Sequence, residues 1–227
     1  MIDKLATSFY WLNIRTWAAL LMLISVKLHL EGKENIPRHG SLIFVSNHLN
    51  NADSLAFTAM FPRRIVWMVK REWFATPVVG WMFHLFGLIP VRRFEADLKA
   101  LREAQRALDR GSVLGMFPEG TRSKTAALAK GEPGTAVIAL RTGALILPVA
   151  IWGTENVKLP RDFFRRNHIH MSFGQPFRLP KARRVNKHAA ESGTREIMMR
   201  IAELLPEKFR GVYADTGESL PAAATTE

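Results

Sequence analysis

The chain of 227 residues contains no cysteine, which removes a disulfide framework, a thiolate nucleophile and any thiolate-based zinc site. Acidic residues are scarce: 20 Asp and Glu stand against 32 Lys and Arg, giving a formal charge of +12 and a pI near 10.6. A surplus of that sign favours polyanionic partners, among them nucleic acid, anionic lipid and phosphorylated small molecules. Internal repeats are missing, and no interdomain linker interrupts the sequence, so the length points to one main domain. With 48% hydrophobic and 23% charged residues the chain is too apolar to be disordered.

Long hydrophobic runs are also few. Only residues 5–26, LATSFYWLNIRTWAALLMLISV, approach the length of a bilayer-crossing helix. Asn13 and Arg15 lie near its middle, and a charge there costs about 2.5 to 3.5 kcal/mol on insertion, so a shallow interfacial helix competes with a spanning one. Phe9, Tyr10, Trp11 and Trp17 suit the headgroup boundary. Lys27-Leu28-His29 follows where a signal peptide would need small residues for cleavage. The expectation is a membrane-associating apolar helix over 1–26, the plain alternative being a helix that packs on the core.

From there the pattern alternates. Residues 26–32 read as a strand, and Pro37 with Gly40 marks a turn before the buried-strand run SLIFVS at 41–46. A helix over 54–60, a strand over 65–69, a Trp- and Phe-rich helix over 77–86 and a strand over 87–91 follow. Next come an amphipathic helix over 95–110, the strand VLGMF at 113–117, a helix over 134–142 and the strand ALILPVAIW. This order predicts an α/β fold with a mostly parallel central sheet flanked by helices. Residues 158–188 are basic and broken by prolines, and a last helix is expected over 189–209 with Ile197, Ile201, Leu204 and Leu205 on one face. The expected domain therefore covers 27–210, with a flexible tail over 211–227.

Three segments carry chemistry. Directly after the strand at 41–46 comes Asn47-His48-Leu49-Asn50-Asn51-Ala52-Asp53. Residues five apart diverge on a regular helix. If His48 and Asp53 are to touch, His48 must lie in the turn and Asp53 in or near the first helical turn, with Asn50 or Asn51 as cap. Asp53 would then hold one ring nitrogen and fix the tautomer, leaving the other to take a proton from a hydroxyl. A histidine near a helix start is by itself more often only a satisfied polar residue. The second segment, Phe117-Pro118-Glu119-Gly120-Thr121-Arg122-Ser123, again follows a buried strand, at the sheet edge where open α/β sheets bind ligands. Gly120 permits close backbone approach, Thr121 offers a hydroxyl and Arg122 can fork onto phosphate oxygens. Glu119 either orients Arg122 or meets substrate hydroxyls. The third, Gly87 to Arg93, ends a strand with two guanidinium groups.

Together these blocks resemble the glycerolipid acyltransferase family that includes 1-acylglycerol-3-phosphate acyltransferases. The likeness covers about residues 26–175 and rests on four blocks in order: Asn47-His48 with Asp53, Gly87 to Arg93, Phe117 to Ser123, and Ile146-Leu147-Pro148-Val149. It implies that His48, oriented by Asp53, deprotonates an acceptor hydroxyl that attacks a thioester, without an acyl-enzyme. It further implies an acceptor-phosphate site of Arg93, Glu119, Gly120 and Arg122, joined by Thr121 and by Lys130 as a further candidate. The donor would be acyl-CoA or acyl-carrier protein, with no tightly bound cofactor and no metal. The acceptor would be the lysophosphatidate 1-acylglycerol-3-phosphate, and the product phosphatidic acid for phospholipid biosynthesis. Membrane lipids are the implied partners, and the cytoplasmic face of the cell membrane the implied location. The sequence departs from the usual pattern at Leu49-Asn50-Asn51-Ala52, Pro90 and Arg92, positions that bear on acceptor choice.

Other readings are acylation of glycerol-3-phosphate or another lysolipid, a histidine-dependent hydrolase, and a basic membrane-binding module without catalysis. Arg63-Arg64, Lys70-Arg71 and the 158–188 region are expected to meet anionic headgroups. Trp67, Trp73, Phe74, Trp81, Met82, Phe83 and Phe86 are expected to divide between core, acyl tunnel and lipid contact. No nucleic-acid module is recognisable. His84, His168, His170 and His188 lack a partner pattern and read as structural or surface residues.

Overall fold

The apolar run Leu42–Ser46 is buried along its whole length, with Leu42 and Phe44 in one cluster and Ile43 and Val45 in another. A strand without a wet face belongs inside a sheet covered on both sides. That is the architecture of the computed structural model, which describes Asn13 and residues 15–95, 97–157 and 167–214. Among the described residues the strands are β1 (Val26–Glu31), β2 (Leu42–Ser46), β3 (Ile65–Lys70), β4 (Ile89–Val91), β5 (Val113–Met116), β6 (Leu145–Trp152) and β7 (Asn167–Phe173). They lie in the order β1-β7-β6-β2-β5-β3-β4. All neighbours pair in parallel except β6 with β7.

The helices are α1 (Thr16–Ser25), α2 (Ala52–Met60), α3 (Pro77–Leu85), α4 (Leu98–Asp109), α5 (Gly134–Thr142) and α6 (Lys187–Leu204). One face of the sheet packs Ile43, Val45, Leu114 and Ile146 against Ala104 and Leu108 of α4, Ile138 and Leu140 of α5, and Ile197 and Ile201 of α6. The other packs Phe44, Ile65, Trp67 and Leu147 against Ala56 and Phe57 of α2, and α1 lies on α2. Asp97, directly before Leu98, caps helix α4: its carboxylate accepts from Lys99 N and Ala100 N, and also from Arg92 N. Helix α6 stops at Leu204, ahead of Pro206, so the predicted extension to 209 becomes a separate 3-10 turn, Glu207–Phe209.

Strand β7 falls in the stretch read only as basic and proline-broken. Its Ile169, Met171 and Phe173 face the core, and it turns the sheet antiparallel at one junction. Residues 158–166, with Arg161, Arg165 and Arg166, lie outside the described residues. So do residues 1–12 and 14 of the expected amino-terminal helix. Among the described residues no helix is long and apolar enough to cross a membrane. The expected tail does not begin at 211. Gly211–Tyr213 forms a 3-10 turn, with Leu128 N donating to Phe209 O and Val212 N to Leu128 O. Residues 215–227 lie outside the described residues.

Candidate active site

Strand β2 delivers Asn47 and His48 to the carboxyl edge of the sheet. Asn47 fixes the delivery: its Nδ2 donates to Ile151 O at 2.8 Å and its Oδ1 accepts from Ile151 N at 2.9 Å, so β2 is pinned to β6 just before the chain turns. His48 follows in that turn, and Asp53 lies in the first turn of α2, as the five-residue spacing requires. The carboxylate of Asp53 is fully buried. Its Oδ2 receives His48 Nδ1 at 2.8 Å, Leu49 N at 2.7 Å and Asn50 N at 2.8 Å. Two of these donors are amides that can only donate, so the oxygen is an acceptor and the histidine places its proton on Nδ1. Nε2 is left as the ring nitrogen able to take a proton. Asn50 serves the helix start, accepting from Ala52 N, while its amide reaches Thr154 O and Val157 O; the side chain of Asn51 makes no capping bond.

The imidazole is also held flat. It stacks on Phe117 with centroids 3.9 Å apart, and Phe117 stacks on Trp67 at 5.1 Å. Gly115 makes room for this column. A Cβ there would come within 2.5 Å of both Ile65 and Trp67, which is why a glycine interrupts an otherwise apolar β5.

The loop after β5 closes over His48. Phe117 to Gly120 forms a tight turn, with Gly120 N donating to Phe117 O and Gly120 at φ 68 in the left-handed region. Glu119 turns inward and is buried. Its Oε1 accepts from His48 N at 3.0 Å and its Oε2 from Ala129 N at 2.9 Å. Burial raises the Glu119 pKa, the two backbone N–H donors oppose the rise, and nearby Asp53 adds to it. The placement differs from the expected phosphate contact. Both carboxylate oxygens serve backbone amides, so Glu119 clamps two loops together, and an anionic group of this kind repels phosphate.

Gly120, Thr121 and Arg122 lie on the outer side of the same loop, Thr121 and Arg122 being exposed. Ser123 N donates to His48 O at 2.7 Å, so this cationic stretch is tied directly to the histidine. Arg93, half-buried just past β4, lies near Arg122: burial, then the like charge of Arg122, lowers its pKa, with Glu72 opposing. Two guanidinium groups that feel each other's charge beside a histidine form a site suited to an anion. Lys130 is placed differently. It lines a cleft of about 450 Å³ with Gly131, Glu132, Thr194, Arg195 and Tyr213, between α6 and the carboxyl-terminal turn.

Several participants were not legible in the sequence. Ser123, Ala129 and Asn47 act through backbone or amide groups that carry no motif chemistry of their own. Tyr213, in the stretch expected to fray, accepts a hydrogen bond from Gly131 N at 3.1 Å. His168 and His170 do have partners: His29 Nε2 and His168 Nδ1 are 2.9 Å apart, and His170 stacks between His29 and Trp152. Among the described residues no group of three or more ligating side chains can hold a metal ion.

A buried His–Asp pair at the carboxyl edge of an α/β sheet, beside a pair of arginines, defines a protein equipped for base-assisted chemistry on an anionic substrate. The family model described as Acyltransferase matches residues 27–152, more than half of the sequence, and the chain belongs to that family. It is 26% identical over 160 residues to the chloroplastic 1-acyl-sn-glycerol-3-phosphate acyltransferase LPAT1 of Arabidopsis thaliana, covering 69% of this chain and 45% of that protein. It is 32% identical over 157 residues to the 1-acyl-sn-glycerol-3-phosphate acyltransferase of Borreliella burgdorferi, covering 66% and 63%. The chain thus spans between about half and two thirds of the length of these relatives. A crystal structure of the 1-acyl-sn-glycerophosphate acyltransferase PlsC from Thermotoga maritima superposes with a TM-score of 0.66 at 26% identity, over 86% of this chain and 80% of that one.

Proposed function

We propose that this protein transfers a fatty acyl group from acyl-CoA or acyl-carrier protein to the sn-2 hydroxyl of 1-acylglycerol-3-phosphate, giving phosphatidic acid, at the cytoplasmic face of the cell membrane. The observation that carries the reading is the His48–Asp53 pair, with the backbone of the Arg122 loop tied to His48 O through Ser123 N and Arg93 within electrostatic reach of Arg122. The arginines hold the acceptor phosphate, with Thr121 and the backbone at Gly120 within the same loop. His48 Nε2 takes the proton of the attacking hydroxyl as the new C–O bond forms at the thioester carbon. The C–S bond then breaks, and the imidazolium returns its proton to the departing thiolate. Asp53 stabilises the imidazolium that exists between these events. Glu119 positions the backbone of His48 and touches no substrate. The names of the relatives support the substrate class, and the absence of cysteine agrees with direct transfer.

Purified protein in lipid micelles, given lysophosphatidate and radiolabelled oleoyl-CoA, is expected to form phosphatidate, and His48→Ala to lower kcat by about 10² to 10⁴ with little change in KM. Release of free fatty acid in place of phosphatidate would overturn the acyl-transfer reading in favour of hydrolysis.

A further inference from the structure

Helix α3 turns its apolar side outward. Val78, Trp81 and Met82 occupy i, i+3 and i+4, one face of a helix, and are 69%, 63% and 37% exposed. Trp73, in the 3-10 turn Arg71–Ala75 just before it, is 52% exposed. The helix packs instead on that same turn. Gly80 is the one buried residue of α3, because a Cβ there would strike Phe74 O at 2.1 Å, and Phe74 meets Phe83 and His84 edge-on. The aromatic set named from the sequence therefore separates: Trp67 and Phe86 are core, while Trp73, Trp81 and Met82 face outward.

The charge around this face is mainly positive. Between Asp53 and Glu95 the sequence holds six cations and a single acid, Glu72. Arg63 turns inward onto the carbonyls of Pro37, Gly40 and Gly111, and Arg64 onto that of Phe86. Lys70 and Arg71 adjoin the apolar turn, and Arg92 and Arg93 follow the neighbouring strand β4; Lys70 pairs with Glu72 at 3.1 Å and Arg92 with Glu95 at 3.7 Å, both on the surface. Position relative to the site also matters. The turn Arg71–Ala75 follows the carboxyl end of β3, the sheet edge that carries His48, and Glu72 lies within electrostatic reach of Arg93. The connection β3–α3–β4 steps along the sheet in the same direction as β2–α2–β3, so right-handed crossovers put α3 on the face that carries α2 and α1. Helix α1 exposes Trp17 and Leu20.

We propose that α3 and the turn before it lie on the surface of an anionic phospholipid bilayer, with Trp73, Val78, Trp81 and Met82 at the headgroup boundary and Lys70, Arg71 and Arg92 on lipid phosphates. Nine residues of helix span only about 14 Å, so α3 lies in the interface and does not cross. Indole rings favour that depth. A second copy of this chain is a poor occupant, because the cations that attract lipid repel their own duplicates. Docking here holds the edge with His48 and Arg122 against the surface that contains the acceptor; only this purpose rests on the proposed function, and the surface argument stands without it.

The cysteine-free sequence allows a direct test on the full chain. Val78→Cys and Met82→Cys, each labelled with an environment-sensitive fluorophore, are mixed with phosphatidylcholine–phosphatidylglycerol vesicles, with Ser192→Cys, exposed on α6 of the opposite face, as control. The expected result is a blue shift and quenching by brominated lipid at 78 and 82 but not at 192, reduced on pure phosphatidylcholine. Trp81→Ser with Val78→Ser should lower the vesicle-bound fraction about tenfold. Vesicle binding that leaves both probes in water, or a shift that appears without vesicles as a dimer forms, would overturn the proposal. The measurement needs no turnover, so a wild-type protein that docks but transfers no acyl group overturns the function and not the surface.

Discussion

The two halves of the candidate site are built on opposite principles. Around His48 the polar side chains are buried and held: Asn47 bonds to β6, Asp53 Oδ2 to three donors and Glu119 to two backbone amides, while the imidazole stacks on Phe117. Around Arg122 the loop is open to solvent, and its near neighbour Arg93 carries the same charge. A base must be aimed before substrate arrives, so its cost of ordering is met in folding. An anion site gains most when the ligand itself removes a repulsion. Substitutions in the first half should therefore damage kcat and stability together, and those in the second should change acceptor affinity with little effect on the fold.

The largest effect is expected at Asp53. In Asp53→Ala three donors lose their common acceptor, two of them backbone amides in a buried turn, at a cost of about 3 kcal/mol or more in stability. The imidazole also loses the partner that selects its tautomer, and kcat should fall by about 10² to 10⁴. Chemical denaturation and steady-state kinetics on one preparation read both. A variant that loses activity at full stability would break the idea that aiming and folding are one event here.

Next in size is the arginine pair. Arg122→Ala should raise KM for lysophosphatidate by about 10- to 100-fold, the range for a hydrogen bond to a charged group, with kcat changed much less. Arg93→Ala should act in the same direction, and the double variant should cost less than the sum because each cation is relieved of its neighbour. Melting temperatures should stay within a few degrees of wild type. Strict additivity would show that the two guanidiniums do not share one anion.

The comparison also explains what the sequence could show in advance. The His48–Asp53 pair was legible because a spacing of five is incompatible with a helix, which forced the turn that the structure contains. The sheet was legible because β2, β5 and β6 are apolar without interruption. The backbone bonds of Glu119 were not legible for a physical reason: a carboxylate beside an arginine in a motif reads as surface chemistry, and nothing in a heptapeptide reveals that Ala129 N and His48 N converge on it. Strand β7 was missed although Asn167–Phe173 alternates, because its outward positions are the polar His168, His170 and Ser172 and its surroundings are basic. Helix α3 shows the converse limit. Periodicity located the helix but cannot say which face has a partner, and here the apolar face is the one without core contact.

Glu119 gives the smallest and most discriminating prediction. Its carboxylate answers two backbone amides, which favours the ionised form, yet burial wins and the pKa stands above the ordinary 4.5. A group raised in this way contributes stability that is fully present below its unfolded value and lost as pH rises through its folded value, since the native state then holds the proton that the unfolded state has released. Glu119→Gln has no proton to lose, but its amide nitrogen must face one of the two N–H groups, a defect of about 1 to 3 kcal/mol that does not vary with pH. The stability gap between wild type and Glu119→Gln should therefore be widest near pH 4.5 and narrow towards neutrality, where the buried charge offsets the better geometry. Denaturation midpoints of the two proteins across that interval measure the gap, with the acid sensitivity common to both cancelling. A gap that widens with pH would mean that the amides of His48 and Ala129 outweigh burial and stabilise the carboxylate, placing Glu119 among the groups prepared for charge, like the arginines on the outer side of its own loop.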